Sequence, residues 1–197
     1  MEVVMNRFIS CTLLLFCFCS SAFAEPLNYD YVYLSKSEAT QDDSPESTEG
    51  ETFGAFYSFR ESLHGFASID DAGSYAAVNA DARTLRVGVG GHFLVSERFM
   101  IAPAIAALYT RAEYHDWQMN RLEDSDTGYV LQLDARWQFL DRWELIGGVH
   151  RSSVFSTDDI EIVAGLLWHP LDWLALGAIH KNKSEATGTE LTARWYF

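Results

Sequence analysis

Gly188-Thr-Glu-Leu-Thr-Ala-Arg-Trp-Tyr-Phe197, the last ten residues, alternate without a break. Thr189, Leu191, Ala193, Trp195 and Phe197 fall on one face, and Gly188, Glu190, Thr192, Arg194 and Tyr196 on the other. A period of two places successive side chains on opposite sides of a sheet, so the stretch reads as a β-strand. Its apolar face ends on an aromatic residue at the chain terminus.

Working back from this strand, the same alternation recurs. Between Thr127 and Phe139, Tyr129, Leu131, Leu133, Ala135, Trp137 and Phe139 oppose Val130, Gln132, Asp134, Arg136 and Gln138. Ten strands are expected: Leu27–Tyr33, Thr52–Arg60, Leu63–Ile69, Arg83–Phe93, Phe99–Glu113, Thr127–Phe139, Trp143–Ser152, Ile160–Trp168, Trp173–Lys181 and Gly188–Phe197. Eight strands are the alternative count, and they would leave two convincing segments unused. Short turns at Glu61-Ser62, Ser96-Glu97, Leu140-Asp-Arg142 and His169-Pro-Leu-Asp172 alternate with longer polar connections at 38–51, 70–81, 114–126, 156–159 and 181–187. The ninth strand has apolar residues on both faces, so its parity stays open.

Strict alternation of short and long connections is what an even-stranded barrel with both termini at one end requires. The expected fold is all-β: a closed, antiparallel, up-and-down transmembrane barrel. A soluble sandwich is compatible with the charged faces. A small soluble barrel, however, would turn its apolar faces inward and would not need a terminal aromatic. Trp137, Trp143, Trp168, Trp173 and Trp195 lie beside short turns or the C-terminus, as an aromatic girdle at a lipid–water interface would.

The first 24 residues read as a cleaved export signal: Arg7, an apolar run from Phe8 to Phe18, then Ala22-Phe-Ala24 before Glu25. The barrel is then expected over 25–197. Cys11, Cys17 and Cys19 all lie in the signal, so disulfides and thiolate chemistry are not expected afterwards. Removing Glu2 and Arg7 with the signal leaves the net charge at −14, which argues against nucleic acid as a partner. Beyond the signal no apolar run approaches the roughly 20 residues of a spanning helix.

The polar faces hold Arg86, Asp134, Arg136, Glu144, Glu161, Glu190 and Arg194, which are expected to line the lumen. A three-residue turn at 140–142 sets Trp137 against Leu145 and Gln132 against His150. Arg136 is then diagonal to Glu144. Buried charges must be paired, so the expectation is a salt-bridge network filling a narrow lumen, with a small polar pore as the second reading.

Asn28-Tyr-Asp-Tyr31, the export signal and Arg194-Trp-Tyr-Phe197 together resemble the small outer-membrane β-barrel proteins of Gram-negative bacteria, of the OmpA-like or OmpX-like membrane-domain kind. That resemblance implies a cell outer membrane location and a non-enzymatic role that is structural, surface-interacting or narrowly porous. It implies contact with outer-membrane lipid and lipopolysaccharide, and handling by periplasmic chaperones. It also implies Trp195, Tyr196 and Phe197 as the signal read by the outer-membrane assembly machinery.

A second resemblance is local. His150-Arg-Ser-Ser153 with Glu161 is similar to the His-x-Ser plus Glu constellation of outer-membrane lipid A deacylases, which implies Ser152 as nucleophile and His150 as base. Two features depart from it: parity turns these residues toward the lumen, and the Asn that follows the family's Ser is Ser153 here. The lipid A-modifying hydrolase is therefore the alternative reading. Asp70-Asp71 is reminiscent of the paired aspartates of ten-stranded outer-membrane proteases but reads as loop, without a His-Asp partner pair. His64, His92, His115, His169 and His180 are scattered, so neither a metal site nor a cofactor is expected. Asp42, Asp43, Glu46 and Glu49 read as a solvated acidic loop.

Overall fold

The structure is a computed structural model describing residues 27–41, 47–74, 80–115, 121–155, 157–184 and 186–197. Expectations for the export signal, Asp42, Asp43 and Glu46 lie outside the described residues.

Eleven strand segments follow one another: β1 (Tyr31–Gln41), β2 (Ser47–Arg60), β3 (Leu63–Ser74), β4 (Ala80–Gly91), β5 (Phe93–Ser96), β6 (Phe99–His115), β7 (Arg121–Leu140), β8 (Trp143–Val154), β9 (Thr157–Leu171), β10 (Leu174–Asn182) and β11 (Ala186–Tyr196). Every neighbouring pair is antiparallel. β1 pairs with β11, so the sheet closes without an edge. β4 and β5 both pair with β6 and are interrupted only at His92, so they form one wall element and the barrel has ten. Closure matters because an open edge in lipid would leave backbone groups unpaired.

The exposed face of every wall element is apolar. Leu34, Phe53, Ile69, Leu85, Ile105, Leu131, Leu145, Ile162, Leu176 and Leu191, one per element, are 40–65 % exposed. A water-soluble monomer does not carry so continuous an apolar surface. On β7 this belt runs from Tyr129 to Trp137; nine residues at ~3.3 Å each, tilted by ~40°, project to about 23 Å, close to the ~25 Å of a barrel's apolar band. Trp137, Trp143, Trp168 and Trp173 point outward at the short-turn end, and Trp195 is half-buried beside them.

The registers place Trp137 opposite Leu145 and Gln132 opposite His150. Tight turns occupy 61–62, 97–98, 141–142 and 172–173. The fourth differs from the expected His169–Asp172 turn. β9 continues through Pro170 because the β9–β10 register shifts between Leu174 and Leu176. A bulge of this kind tolerates a residue without an N–H, and the Pro170 carbonyl accepts a hydrogen bond from Arg142 at 3.2 Å.

The long connections are shorter than the sequence suggests. β1 runs to Gln41, β3 to Ser74, β7 starts at Arg121 and β9 at Thr157. Asp70 and Asp71 are consequently strand residues, not loop. The apolar alternation stops at the edge of the belt, but the backbone ladder continues, supported by cross-strand ion pairs between outward side chains. Lys36–Glu49 at 2.9 Å, Arg111–Glu123 at 2.7 Å and Arg151–Asp158 at 2.9 Å are three of them. The parity left open on the ninth strand is resolved on β10, where Ala175, Gly177, Ile179 and Lys181 face inward.

Candidate functional site

The lumen is filled from the short-turn end. Residues 27–30 do not extend β1 but enter the barrel mouth. Leu27 has φ 64°, and the Asn28 side chain accepts a hydrogen bond from the backbone N–H of Asp30 at 2.9 Å, an Asx turn. Asn28 donates to the Phe197 carbonyl at 3.3 Å, and the Phe197 N–H donates to the Asp30 carbonyl at 3.1 Å. The Asp30 carboxylate accepts from the Ser58 N–H. The Tyr29 ring stacks on His64 at 4.3 Å and on His92 at 5.0 Å between ring centroids. These two histidines, 28 positions apart, bring their Nδ1 atoms to 3.3 Å.

Above this lies the Arg136–Glu144 pair. Arg136 Nε and Nη2 donate to the two Glu144 oxygens at 2.5 and 3.0 Å, and both side chains are almost wholly buried. Arg136 also donates to the Asn28 carbonyl at 2.9 Å and to the Tyr196 hydroxyl at 3.3 Å. His169 Nε2 lies 3.2 Å from Glu144 Oε2. The Arg194 guanidinium sits 5.1 Å above the Tyr31 ring. Met100, Leu167 and Ala175 pack around this layer at 1, 0 and 0 % exposure.

Ionic contacts continue upward. His150 bonds through Nε2 to Asp134 at 2.8 Å and through Nδ1 to Glu161 at 3.3 Å. Lys183 lies 3.6 Å from Glu161, and Lys181 pairs with Glu190. Asp70 accepts from Thr52 at 2.7 Å and from Ser68 at 3.3 Å. Arg86 faces inward on β4, in register with Ser68.

All seven charged residues read as lumen-lining thus lie on the inner face, but they form separate clusters. Ser152 also faces inward, yet both His150 nitrogens are held by carboxylates, which leaves neither to take a proton from a serine. The arrangement does not support the hydrolase alternative. Trp195 faces outward, Tyr196 inward beneath Arg136, and Phe197 follows the end of β11. Among the described residues, no three or more His, Cys, Asp or Glu side chains are arranged to hold a metal ion.

Sequence reasoning did not bring out the entry of 27–30 into the mouth or the meeting of His64 and His92. The Asn28-x-Asp30 spacing was a readable sign of a turn. The histidine pair had none, because it depends on the β3–β4 register, which sets His64 against Gly90.

Outside the lumen, the outward ends of the strands carry charges beyond the apolar belt. Arg83 holds Asp71 through Nε at 2.5 Å and Nη2 at 3.1 Å. These hydrogen bonds raise the Arg83 pKa, and Glu123 does the same for Arg111. The hydrogen bond from Arg151 holds the Asp158 carboxyl below its ordinary range, so the pair stays ionised.

An apolar exterior, an interior of packed rings and paired charges, and ten antiparallel elements closed on themselves define a barrel of the membrane-spanning type. Its fold is that of the outer-membrane β-barrels, as comparison with solved structures shows. The β-domain of the Bordetella autotransporter BrkA aligns with a TM-score of 0.54 at 10% identity, over 85% of this chain and 99% of that one. The NanC porin aligns with a TM-score of 0.50 at 6% identity, over 84% and 100%. The attachment invasion locus protein Ail of Yersinia pestis aligns with a TM-score of 0.47 at 12% identity, over 85% and 95%. No family model matches the sequence, and neither does the sequence of any curated protein.

Proposed function

We propose that the protein is a non-enzymatic integral barrel of the Gram-negative outer membrane. It is exported by its first 24 residues and assembled through its C-terminal strand. Its periplasmic end is the short-turn end, and its role is structural or surface-interacting, not conductive. One observation carries the reading: the periplasmic half of the lumen is packed solid, with Met100, Leu167, His64 and Glu144 buried below 2 % exposure. A barrel of ten strands is narrow enough for side chains of facing walls to meet, whereas aqueous channels belong to barrels of ~16 strands. Planar-bilayer recording tests it. The expected trace shows no steps above background; reproducible single-channel steps from the purified protein would overturn the closed reading. Heat-modifiable migration on gels and recovery in the outer-membrane fraction test the placement.

A further inference from the structure

The apolar belt does not have one height. On β6 its outward residues run from Phe99 to Tyr109, about 25 Å at ~3.3 Å per residue and a ~40° tilt. On β9 they run from Trp168 to Ile160, about 20 Å by the same measure. On β10 they run only from Leu174 to Ala178, and on β11 from Trp195 to Leu191, about 10 Å each. β1 has Val32 and Leu34 before Lys36. The shortfall lies at the long-loop end, because Trp173 and Trp195 mark the short-turn edge here as Trp143 and Trp168 do on the neighbouring walls. Above Ala178 and Leu191 the outward positions are neutral and polar. The ladder sets His180 beside Thr189 and Asn182 beside Thr187.

We infer that β10, β11 and β1 form a thin-membrane face, where the bilayer is drawn down to the height of the short belt and its headgroups meet His180, Asn182 and Thr189. The inference needs only a barrel that spans a bilayer; that the drawn-down leaflet is the outer one rests on the orientation proposed above. An undeformed hydrocarbon core of ~30 Å would surround these polar side chains with acyl chains, which offer them no hydrogen bond. A short apolar face is met by thinning the bilayer beside it, at modest cost per ångström. Tilting the barrel is no remedy, because a tilt moves both edges of a face together and leaves its height unchanged. A second copy seated on the face would bury the Lys36–Glu49 pair on its β1 side, 2.9 Å apart with side chains 63 and 46 % exposed. A lowered headgroup layer keeps that pair hydrated. Nor is the face a parting seam: β1 and β11 stay in register from Tyr31 with Tyr196 to Gln41 with Ala186. The wall is continuous, and only its apolar height changes.

The test reads depth in the bilayer. The barrel as exported has no cysteine, so Thr189→Cys and Ala107→Cys each give a single site for a bimane label. Ala107 faces outward on β6, farther from the short-turn end than Thr189 is on β11. The labelled barrels are reconstituted into dioleoyl phosphatidylcholine vesicles that carry nitroxide either on the headgroup or deep in the acyl chain. The Thr189 label is expected in the headgroup layer and the Ala107 label among the chains, about 10 Å apart in depth, since each lies one outward position from the upper edge of its belt, on opposite sides of that edge. His180→Leu, Asn182→Leu and Thr187→Leu together lengthen the belt around the Thr189 label and are expected to carry it into the acyl chains. Equal depths for the two labels would overturn the thin face. So would an unmoved Thr189 label in an inserted leucine variant. A Thr189 label shielded from both quenchers would put a second copy there instead of lipid. Where the leucine variant does not insert, the two label depths decide alone. A chain recovered outside the outer-membrane fraction of cells, with the label depths as expected, overturns the placement and the choice of leaflet and leaves the thin face standing.

Discussion

Replacing Glu144 by Gln leaves Arg136 charged in a layer that no longer holds its counterion. Arg136 is 3 % and Glu144 1 % exposed, so solvent cannot take over for either. Two of the Arg136 nitrogens face Glu144, and the Arg194 cation belongs to the same layer. Breaking a buried pair by removing one partner costs about 3–5 kcal/mol, because the remaining charge is desolvated and uncompensated. At 1.4 kcal/mol per factor of ten, that lowers the folding equilibrium constant by roughly two to nearly four powers of ten. Urea unfolding of the barrel in lipid vesicles, followed by tryptophan fluorescence, reads this directly. Arg136→Met should cost a similar amount, since it removes the cation that both Glu144 oxygens bind. The double variant should cost at least about 2 kcal/mol less than the sum of the singles, because neither charge is then left alone. The reasoning is refuted if Glu144→Gln costs less than about 1 kcal/mol, or if the two effects simply add.

Other outcomes follow from the same geometry. A Cβ on Gly128 would stand 1.9 Å from the Ser153 carbonyl oxygen. Gly128→Ala should therefore destabilise the barrel by about 1–3 kcal/mol in the same urea assay; an unchanged midpoint would show that β7 and β8 do not approach so closely there. Deleting Phe197 removes its backbone bond to Asp30 as well as the terminal aromatic. Insertion into the outer membrane, followed by heat-modifiable migration, should fall sharply, and wild-type insertion would count against its role as an assembly signal. Ser152→Ala and His150→Ala should leave the acyl chains of lipid A unchanged on mass spectrometry; a difference between variant and parent would revive the hydrolase reading.

How far the fold was legible follows from where the alternation is clean. From Leu131 to Phe139 apolar and polar residues trade places at each step, and Trp143-Glu-Leu145 resumes the pattern after the turn, so strand, face and register could all be read, including the diagonal Arg136–Glu144 contact. On β10 they could not. Ala175 and Ile179 are buried inside while Leu176 faces outward, so both faces are apolar and no pattern separates them. The strand ends were misread for a related reason. Glu38, Glu49, Asp71 and Glu123 are outward residues of continuing strands, yet in sequence they resemble loop. Hydrophobicity reports the thickness of the belt, and backbone pairing runs past it. The His64–His92 contact and the entry of Asn28 beneath Arg136 belong to tertiary packing, which local pattern does not encode.

The closed lumen is a property of paired wall compositions, not of any one residue. β4 and β6 present Gly88, Gly90, Ala102, Ala104 and Ala106 to the interior, while β1, β2 and β3 present Tyr31, Tyr33, Phe56, His64 and Phe66. The fit is tight: a Cβ at Gly88 would come within 2.4 Å of the Phe66 ring, and one at Gly90 within 2.6 Å of His64. Small residues on one wall therefore do not open a channel. They make room for the rings of the facing wall, which fill the space and form the floor on which Tyr29 and the Arg136–Glu144 pair sit. Widening the bore would require shortening those rings. Trimming the small side would crowd nothing and open little. The wall of β7, β8, β9 and β11 brings in fewer rings, Tyr196 chief among them, and there Arg136, Glu144, His150, Glu161 and Glu190 occupy the width by pairing with one another or with a neighbouring side chain.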